Sequence, residues 1–135
     1  MAKITLPAVI DNIETATDFV NEVLEDVGCS MRAQMQLAIA LDELMSNVAH
    51  YAYKSGQGDV TVSIEILKDP KRAVLTLTDE GAPYNPLEKE DPDVTLSAEK
   101  RKIGGLGIFI VKRSMDDMTY EYKDGKNIVT VVKYI

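Results

Sequence analysis

The sequence predicts an α+β fold: a two-layer α/β sandwich in which helices cover one face of a mixed, mostly antiparallel sheet. Two long helical patterns follow each other closely in the first part of the chain. Two pairs of segments with alternating apolar residues come after them, and each pair is joined by a short turn. Strands that come in hairpins, with helices grouped apart from them, are typical of this architecture.

The chain begins with a strand pattern and then a helix pattern. Lys3–Leu6 is followed by Pro7, which predicts an edge strand because proline cannot donate to a strand ladder. Asp11 and Glu14 have the spacing of a capping box, and apolar residues recur at helical period after them. We therefore predict a first helix over about residues 12–27.

A second helix is predicted from Ser30, a natural N-cap, to Tyr53. Gly28, just before it, is expected to cap the C-terminus of the first helix. The core-facing stripe of the second helix is predicted at three- and four-residue steps, at Met35, Ala38, Leu41, Met45, Val48 and Ala52.

Four strands are predicted in the second half of the chain. Asp59–Leu67 and Ala73–Thr78 alternate in polarity and form one hairpin. Met118–Tyr122 and Ile128–Tyr134 flank Asp124-Gly125, a strong signal for a second hairpin. These strands are expected to form most of the sheet.

Between the two hairpins, residues 80–103 show little periodicity and contain three prolines and many charges. A loop of this length within a compact domain is usually a functional lid or a disordered segment. A short helix is predicted after it, over about Ile108–Met115.

Composition limits the classes of function. The chain of 135 residues carries 22 acidic and 15 basic side chains, a net charge of −7. This balance argues against nucleic acid or an anionic membrane as the main partner, since both require basic patches. Cys29 is the only cysteine, which fits a reducing compartment, and no segment has the pattern of a signal peptide or a membrane span. We expect a single cytoplasmic domain over residues 1–135.

The first candidate site lies in the second helix. Glu43 and Asn47 are four residues apart and therefore share a helix face, which Ser46 and His50 border. A carboxylate and a carboxamide placed in this way can serve as a base and a metal ligand. The alternative is an ordinary solvated helix face.

The second candidate site follows the predicted strand that ends at Asp79. Its carboxylate only accepts hydrogen bonds, which suits an exocyclic amine such as that of adenine. Gly81 has no Cβ, so a flat ring could approach the backbone, while Pro83 and Pro86 stiffen the exit. The alternative is an ordinary turn, because Asp, Gly and Pro are common turn residues.

The third candidate site is Gly104-Gly-Leu-Gly107, which precedes a helix. Backbone N–H groups of glycines and a helix N-terminus can together bind a phosphate. The spacing matches neither the dinucleotide-binding fingerprint nor a P-loop. A flexible hinge is the alternative.

The order and spacing of these three sites resemble the N, G1 and G2 boxes of the Bergerat-fold (GHKL) ATPases. Within that superfamily the chain is similar to the anti-sigma factor serine/threonine kinases. The similarity covers nearly the whole chain, including Leu41–Tyr53, Asp79–Pro86, Asp91–Val94 and Gly104–Val111.

The resemblance implies a role for each matching residue. Asn47 would coordinate magnesium that bridges the phosphates of ATP, and Glu43 would be the catalytic base. Asp79 would recognise the adenine amine, Gly81 would give the ring room, and Thr130 would support adenine through its hydroxyl group. The implied nucleotide-binding set comprises Asn47, His50, Asp79, Gly81, Pro83, Gly104, Gly105, Leu106, Gly107 and Thr130.

The resemblance also implies an activity and partners. It implies a kinase that phosphorylates a serine of a STAS-type anti-anti-sigma protein, sequesters a sigma factor and forms a homodimer. One alternative is a non-catalytic module that binds ATP and a partner without transferring phosphate. The other is a detached histidine-kinase ATPase domain, which the short chain disfavours.

Overall fold

The computed structural model describes residues 1–53, 57–88 and 106–135, with Leu106 described by its backbone only. Eight main elements follow one another along the chain, and a π-helical turn, Val48–Ala52, extends the second helix. Short 3₁₀ turns lie at Ile10–Asn12 and Pro86–Glu88. The main elements are β1 (Ala2–Pro7), α1 (Ile13–Asp26), α2 (Met31–Asn47), β2 (Asp59–Leu67), β3 (Arg72–Asp79), α3 (Leu106–Ser114), β4 (Asp117–Lys123) and β5 (Lys126–Tyr134).

The five strands form one sheet in the order β1-β2-β3-β5-β4, and all four pairs of neighbouring strands are antiparallel. This confirms the predicted α+β class and the edge position of the first strand. Asp124 and Gly125 join β4 to β5 with φ angles of 53° and 76°. Positive φ at both positions is the type I′ geometry that matches the twist of a hairpin.

One face of the sheet and the inner sides of the helices form the core. Alternate residues of β2, β3 and β5 are buried, as expected for strands with one covered face. Full burial of each large apolar side chain contributes about 1.5–3 kcal/mol. The most deeply buried large residues are Val20, Leu24, Leu37, Leu41, Met45, Val60, Val62, Ile64, Leu75, Ile108, Val111 and Val131.

The boundary between α1 and α2 follows the predicted signals. Gly28 has a φ of 70°, and its N–H donates to the carbonyl of Glu25 while Cys29 N–H donates to that of Leu24. These two bonds form a Schellman motif, which ends α1. Ser30 then caps α2, because its hydroxyl oxygen accepts a hydrogen bond of 3.2 Å from the N–H of Ala33. Both predicted caps are confirmed.

Two local predictions are wrong. Asp11 lies in a 3₁₀ turn and forms no capping box, since α1 begins at Ile13 and the preceding Asn12 makes no side-chain cap. Asn12 instead donates to the carbonyl of Pro7 at 2.8 Å, which ties the turn to β1. Met35 is 60 % exposed rather than part of the core. Apolar residues occur around most of α2, so packing against α1 and the sheet decides which face is buried.

None of the described helices has the length and apolar character needed to cross a membrane.

Candidate functional site

A narrow pocket lies where the C-terminal end of α2 meets the end of β3 and the start of β5. Its volume is about 20 Å³, far below the roughly 300–1,000 Å³ of typical ligand pockets, so a larger ligand requires one wall to move. Tyr84 forms an aromatic wall and stacks on Tyr51, with ring centroids 4.9 Å apart. The lining comprises Leu44, Asn47, Val48, Ala52, Asp79, Tyr84, Pro86, Asn127 and Val129.

Among the described residues that line this pocket, Asp79 is the charged one, and only 6 % of its surface is exposed. Its Oδ1 accepts hydrogen bonds of 2.9 Å from the N–H of Gly81 and from Nδ2 of Asn127. Burial raises the pKa of the Asp79 carboxyl above its ordinary value, and these two bonds oppose that shift. The side chain is thus a buried acceptor aimed at a mainly apolar pocket.

Asn127 is a site residue that the sequence analysis missed. It is 3 % exposed, pairs with Asp79 across β3 and β5, and donates to the carbonyl of Ala82 at 2.9 Å as well as to Asp79. One signal could have found it. Asn127 occupies an inward position of β5, in step with Val129 and Val131, and a polar residue there needs a buried partner.

Asn47 lies one turn after Glu43 on α2, as predicted, and it lines the pocket. Its Nδ2 is buried and has no hydrogen-bond partner, and its side chain makes no hydrogen bond with any described residue. A buried polar group without a partner costs about 1–3 kcal/mol. An amide that can turn either its oxygen or its nitrogen toward the pocket therefore fits a role in ligand or metal binding.

Glu43 lies at the point where α2 meets the first turn of α3. A Cβ built on Gly107 would overlap the Glu43 carboxylate, so the glycine backbone and the carboxyl group are in direct contact. The structure thus brings together Glu43 and Gly107, two residues predicted from separate motifs, and Asn47 lies one turn after Glu43 on α2. Gly107 lies in the first turn of a helix, where backbone N–H groups lack helical partners.

Gly81, two residues after Asp79, is in close contact with Ala52, which the sequence did not show. A Cβ on Gly81 would overlap the carbonyl group and the Cβ of Ala52, and Ala82 N–H donates to that carbonyl at 2.8 Å. The space beside Gly81 is therefore filled by the π-helical turn, not left open for a ring. Pro83 is exposed and lies outside the pocket lining, whereas Pro86 is buried within it.

Thr130 is not brought into the pocket. It lies three residues after Asn127 on β5, so its side chain points to the opposite face of the sheet. Its hydroxyl oxygen is 3.4 Å from that of Thr76, its cross-strand neighbour. The expected hydroxyl support from Thr130 is therefore wrong, and Asn127 has the inward position beside Asp79.

The remaining predicted residues are placed as follows. His50 is exposed in the π-helical turn, next to the ring of Tyr51, and does not line the pocket. Leu106 is the first residue of α3. Gly104 and Gly105 lie outside the described residues.

The donor set fits a nucleotide better than a metal held by protein alone. Among residues 1–53, 57–88 and 106–135, no three His, Cys, Asp or Glu side chains are close enough to hold a metal ion. A cation near Asn47 would therefore need other oxygen ligands, such as those of a bound phosphate chain. Asp79, which is buried and lines the pocket, offers a carboxylate acceptor that suits an amino group.

The fold and this pocket define a class of protein. Residues 6–133 match the model of the histidine kinase-like ATPase domain family, and the chain belongs to that family. Membership implies ATP binding. The predicted resemblance to the anti-sigma factor serine/threonine kinases of the Bergerat-fold superfamily is confirmed.

Three relatives show which kinds of protein the chain is similar to. The chain is 30% identical to the serine-protein kinase RsbW of Listeria monocytogenes serovar 1/2a, over 98% of this chain and 87% of the relative. It is 24% identical to the serine/threonine-protein kinase BtrW of Bordetella bronchiseptica, over 78% of this chain and 73% of that one. It is 27% identical to the RsbW protein of Bacillus mycoides, over 73% and 62%.

Proposed function

We propose that this chain is an ATP-dependent protein serine/threonine kinase, built as one domain over residues 1–135. The observation that carries the proposal is the contact between the Glu43 carboxylate and Gly107 in the first turn of α3. The contact supports the proposal because the Glu43 carboxylate, the base in this proposal, lies beside a glycine-containing helix start that suits a phosphate group. The names of the relatives, which are serine or serine/threonine kinases, support the same activity.

The proposed division of roles covers the pocket and the neighbouring start of α3. Asp79 recognises the adenine amino group, and Asn47 is the protein ligand of a magnesium ion. When bound, that ion neutralises charge on the phosphates, which together with positioning provides most of the catalysis in phosphoryl transfer. In this proposal Gly104, Gly105, Leu106 and Gly107 contact the phosphates through their backbone, and Gly81 supports the site by donating a hydrogen bond to Asp79. His50 and Pro83 lie outside the pocket lining and have no role in this proposal.

Glu43 acts as the base in this proposal. It accepts the proton of the attacking serine hydroxyl as that oxygen bonds to the γ-phosphorus and the bond between the γ-phosphorus and ADP breaks. Among the described residues, the Glu43 carboxylate has no hydrogen bond or ion pair that would compete for this proton. Contact with Gly107 keeps the carboxylate close to the proposed phosphate position.

We further propose that the phosphate acceptor is a serine of a STAS-type anti-anti-sigma protein, and that the chain sequesters a sigma factor as a homodimer. The family to which the chain belongs supports these partners. Sedimentation of the isolated chain over a range of concentrations tests the homodimer. A monomer at every concentration would contradict it.

Transfer of labelled phosphate from ATP to a STAS partner tests the activity. We expect acid-stable phosphoserine with the wild type and a loss of at least about a hundredfold with Glu43→Gln, which keeps the shape but removes the base. Asp42→Ala is the matched control, because it removes an exposed carboxylate from the neighbouring position of α2.

The outcomes separate the alternatives. ATP binding without transfer by the wild type would indicate the non-catalytic module. Acid-labile phosphoprotein would indicate histidine phosphorylation. Undiminished phosphate transfer by Glu43→Gln would show that Glu43 is not the base.

A further inference from the structure

The side-chain amide of Asn127 has one possible orientation. Its Nδ2 faces two groups that can only accept, the carboxylate of Asp79 and the carbonyl of Ala82, each at 2.9 Å. Its Oδ1 accepts from the N–H of Tyr84 at 3.1 Å and from the hydroxyl of Tyr120 at 2.5 Å. All four hydrogen-bonding positions of the amide are therefore used, and a flipped amide would place Nδ2 against the Tyr84 N–H.

This fixed amide makes the two oxygens of Asp79 different. Oδ1 receives hydrogen bonds from both Gly81 and Asn127, whereas Oδ2 receives none from any described residue. Rotation of the carboxyl group would break two bonds of good length at once. Oδ2 is consequently the oxygen that a ligand can use.

We propose that Asn127 is the positioning residue that presents Oδ2 of Asp79 to the amino group of a bound adenine. This inference rests on the proposed nucleotide site and adds the residue that orients Asp79 for the selection of adenine over other bases. Asn127 does not contact the reacting atoms. Its effect passes through the Asp79 carboxylate, which it orients and whose charged form it stabilises by donating a hydrogen bond.

The same amide also anchors the wall of the pocket. Ala82 and Tyr84 are both hydrogen-bonded to Asn127 through their backbone. The Tyr84 ring lines the narrow pocket and stacks on Tyr51, with ring centroids 4.9 Å apart. Asn127 therefore ties the backbone of Tyr84 to β5, directly beside Asp79.

The test compares ATP with purine riboside triphosphate, which is the same ligand without the amino group. A hydrogen bond to a charged acceptor gives about a ten- to hundredfold preference, so we expect the wild type to prefer ATP by that factor. In Asn127→Leu we expect this preference to fall to within about threefold of one. The affinity for purine riboside triphosphate should stay within about threefold of the wild-type value, because only the amino group is read by Asp79.

Two further variants keep the test decisive if Asn127→Leu does not fold. Tyr120→Phe keeps the ring and removes one bond to Asn127 Oδ1, and it should lower the preference for ATP by about two- to tenfold. Val131→Ala is the control, because it removes buried volume from the same face of β5 without touching Asp79. It should lower the melting temperature and leave the preference for ATP unchanged.

The outcomes are distinguishable. Equal losses for both nucleotides in Asn127→Leu and in Tyr120→Phe would show a purely structural role and overturn the inference. An unchanged preference in both variants would overturn it as well. If the wild type binds neither nucleotide, the proposed function fails and the inference fails with it.

Discussion

The backbone of Gly107 packs directly on the carboxylate of Glu43. Any Cβ at position 107 would overlap Cδ and both carboxylate oxygens of Glu43. The glycine is required because the end of another side chain occupies the space that its own Cβ would take. The candidate base on α2 therefore lies in direct contact with the first turn of α3.

Replacement of Gly107 by alanine should separate activity from stability. The added methyl meets the flexible end of Glu43, which can move aside, and alanine is favoured over glycine in a helix by about 1 kcal/mol. We expect unfolding in urea to be unchanged or slightly harder, while phosphate transfer falls about a hundredfold because the base is displaced. Single-turnover transfer and urea denaturation measure the two effects. Wild-type transfer by Gly107→Ala would show that the contact does not position Glu43.

Replacement of Gly81 by alanine, in contrast, should lower the stability of the fold. Its Cβ would overlap the backbone carbonyl of Ala52, which cannot move without disturbing the end of the π-helical turn. We expect the free energy of unfolding to fall by about 1–3 kcal/mol, as for other overpacked positions. Urea denaturation of Gly81→Ala beside Gly107→Ala makes a matched pair, since the substitution is identical. Equal midpoints for the two variants would contradict the distinction between a backbone and a side-chain clash.

Asn47→Ala tests the proposed magnesium ligand. Removal of its buried, unpartnered Nδ2 relieves an unfavourable group but leaves a cavity, and because these two effects oppose each other the net change in stability should be small. We expect ATP to bind more tightly with magnesium than with EDTA in the wild type, and this difference should disappear in the variant. Asn21→Ala on α1 is the control, because its Oδ1 is also buried without a partner but lies outside the pocket. The prediction fails if Asn47→Ala keeps the magnesium dependence of the wild type.

Asp79→Asn should weaken ATP binding by about ten- to hundredfold and leave the weaker binding of GTP unchanged. The pKa of the Asp79 carboxyl is raised from 3.8, chiefly by burial, so the folded protein holds this proton to a higher pH than the unfolded chain does. ATP affinity of the wild type should therefore fall as the pH drops through this raised pKa. Titration calorimetry over a series of pH values measures both effects.

The raised pKa of the Asp79 carboxyl also makes the stability of the fold depend on pH. Since the folded-state pKa is the higher one, the contribution of Asp79 to stability is lost as the pH rises between 3.8 and the raised value. Asp79→Asn removes this segment of the stability profile. Two tyrosines that interact electrostatically with Asp79, Tyr53 and Tyr120, have pKa values raised above 10.0 by burial and are therefore neutral in this pH range. Superimposable stability profiles of variant and wild type would contradict this account.

Local signals predicted the elements well, because each depends on a few neighbouring residues. Asp124-Gly125 specified the turn through its positive φ angles, and Ser30 specified the start of α2 through its own hydroxyl. The Asp11 capping box failed because Asn12 is held by Pro7 of β1, a contact that a helical pattern does not contain. Met35 failed because helical period indicates a stripe but not which side of an apolar helix meets the sheet.

The sequence by itself determined the α+β class, the caps at Gly28 and Ser30, the hairpins and the motif residues Glu43, Asn47 and Asp79. It could do so because periodicity, turn chemistry and residue type are local properties. Only the tertiary structure decided that Gly107 lies on Glu43, and that Asn127 rather than Thr130 holds Asp79. Both relationships depend on the packing of α3 on α2 and on strand register, and a shift of one residue in register turns a side chain to the other face of the sheet.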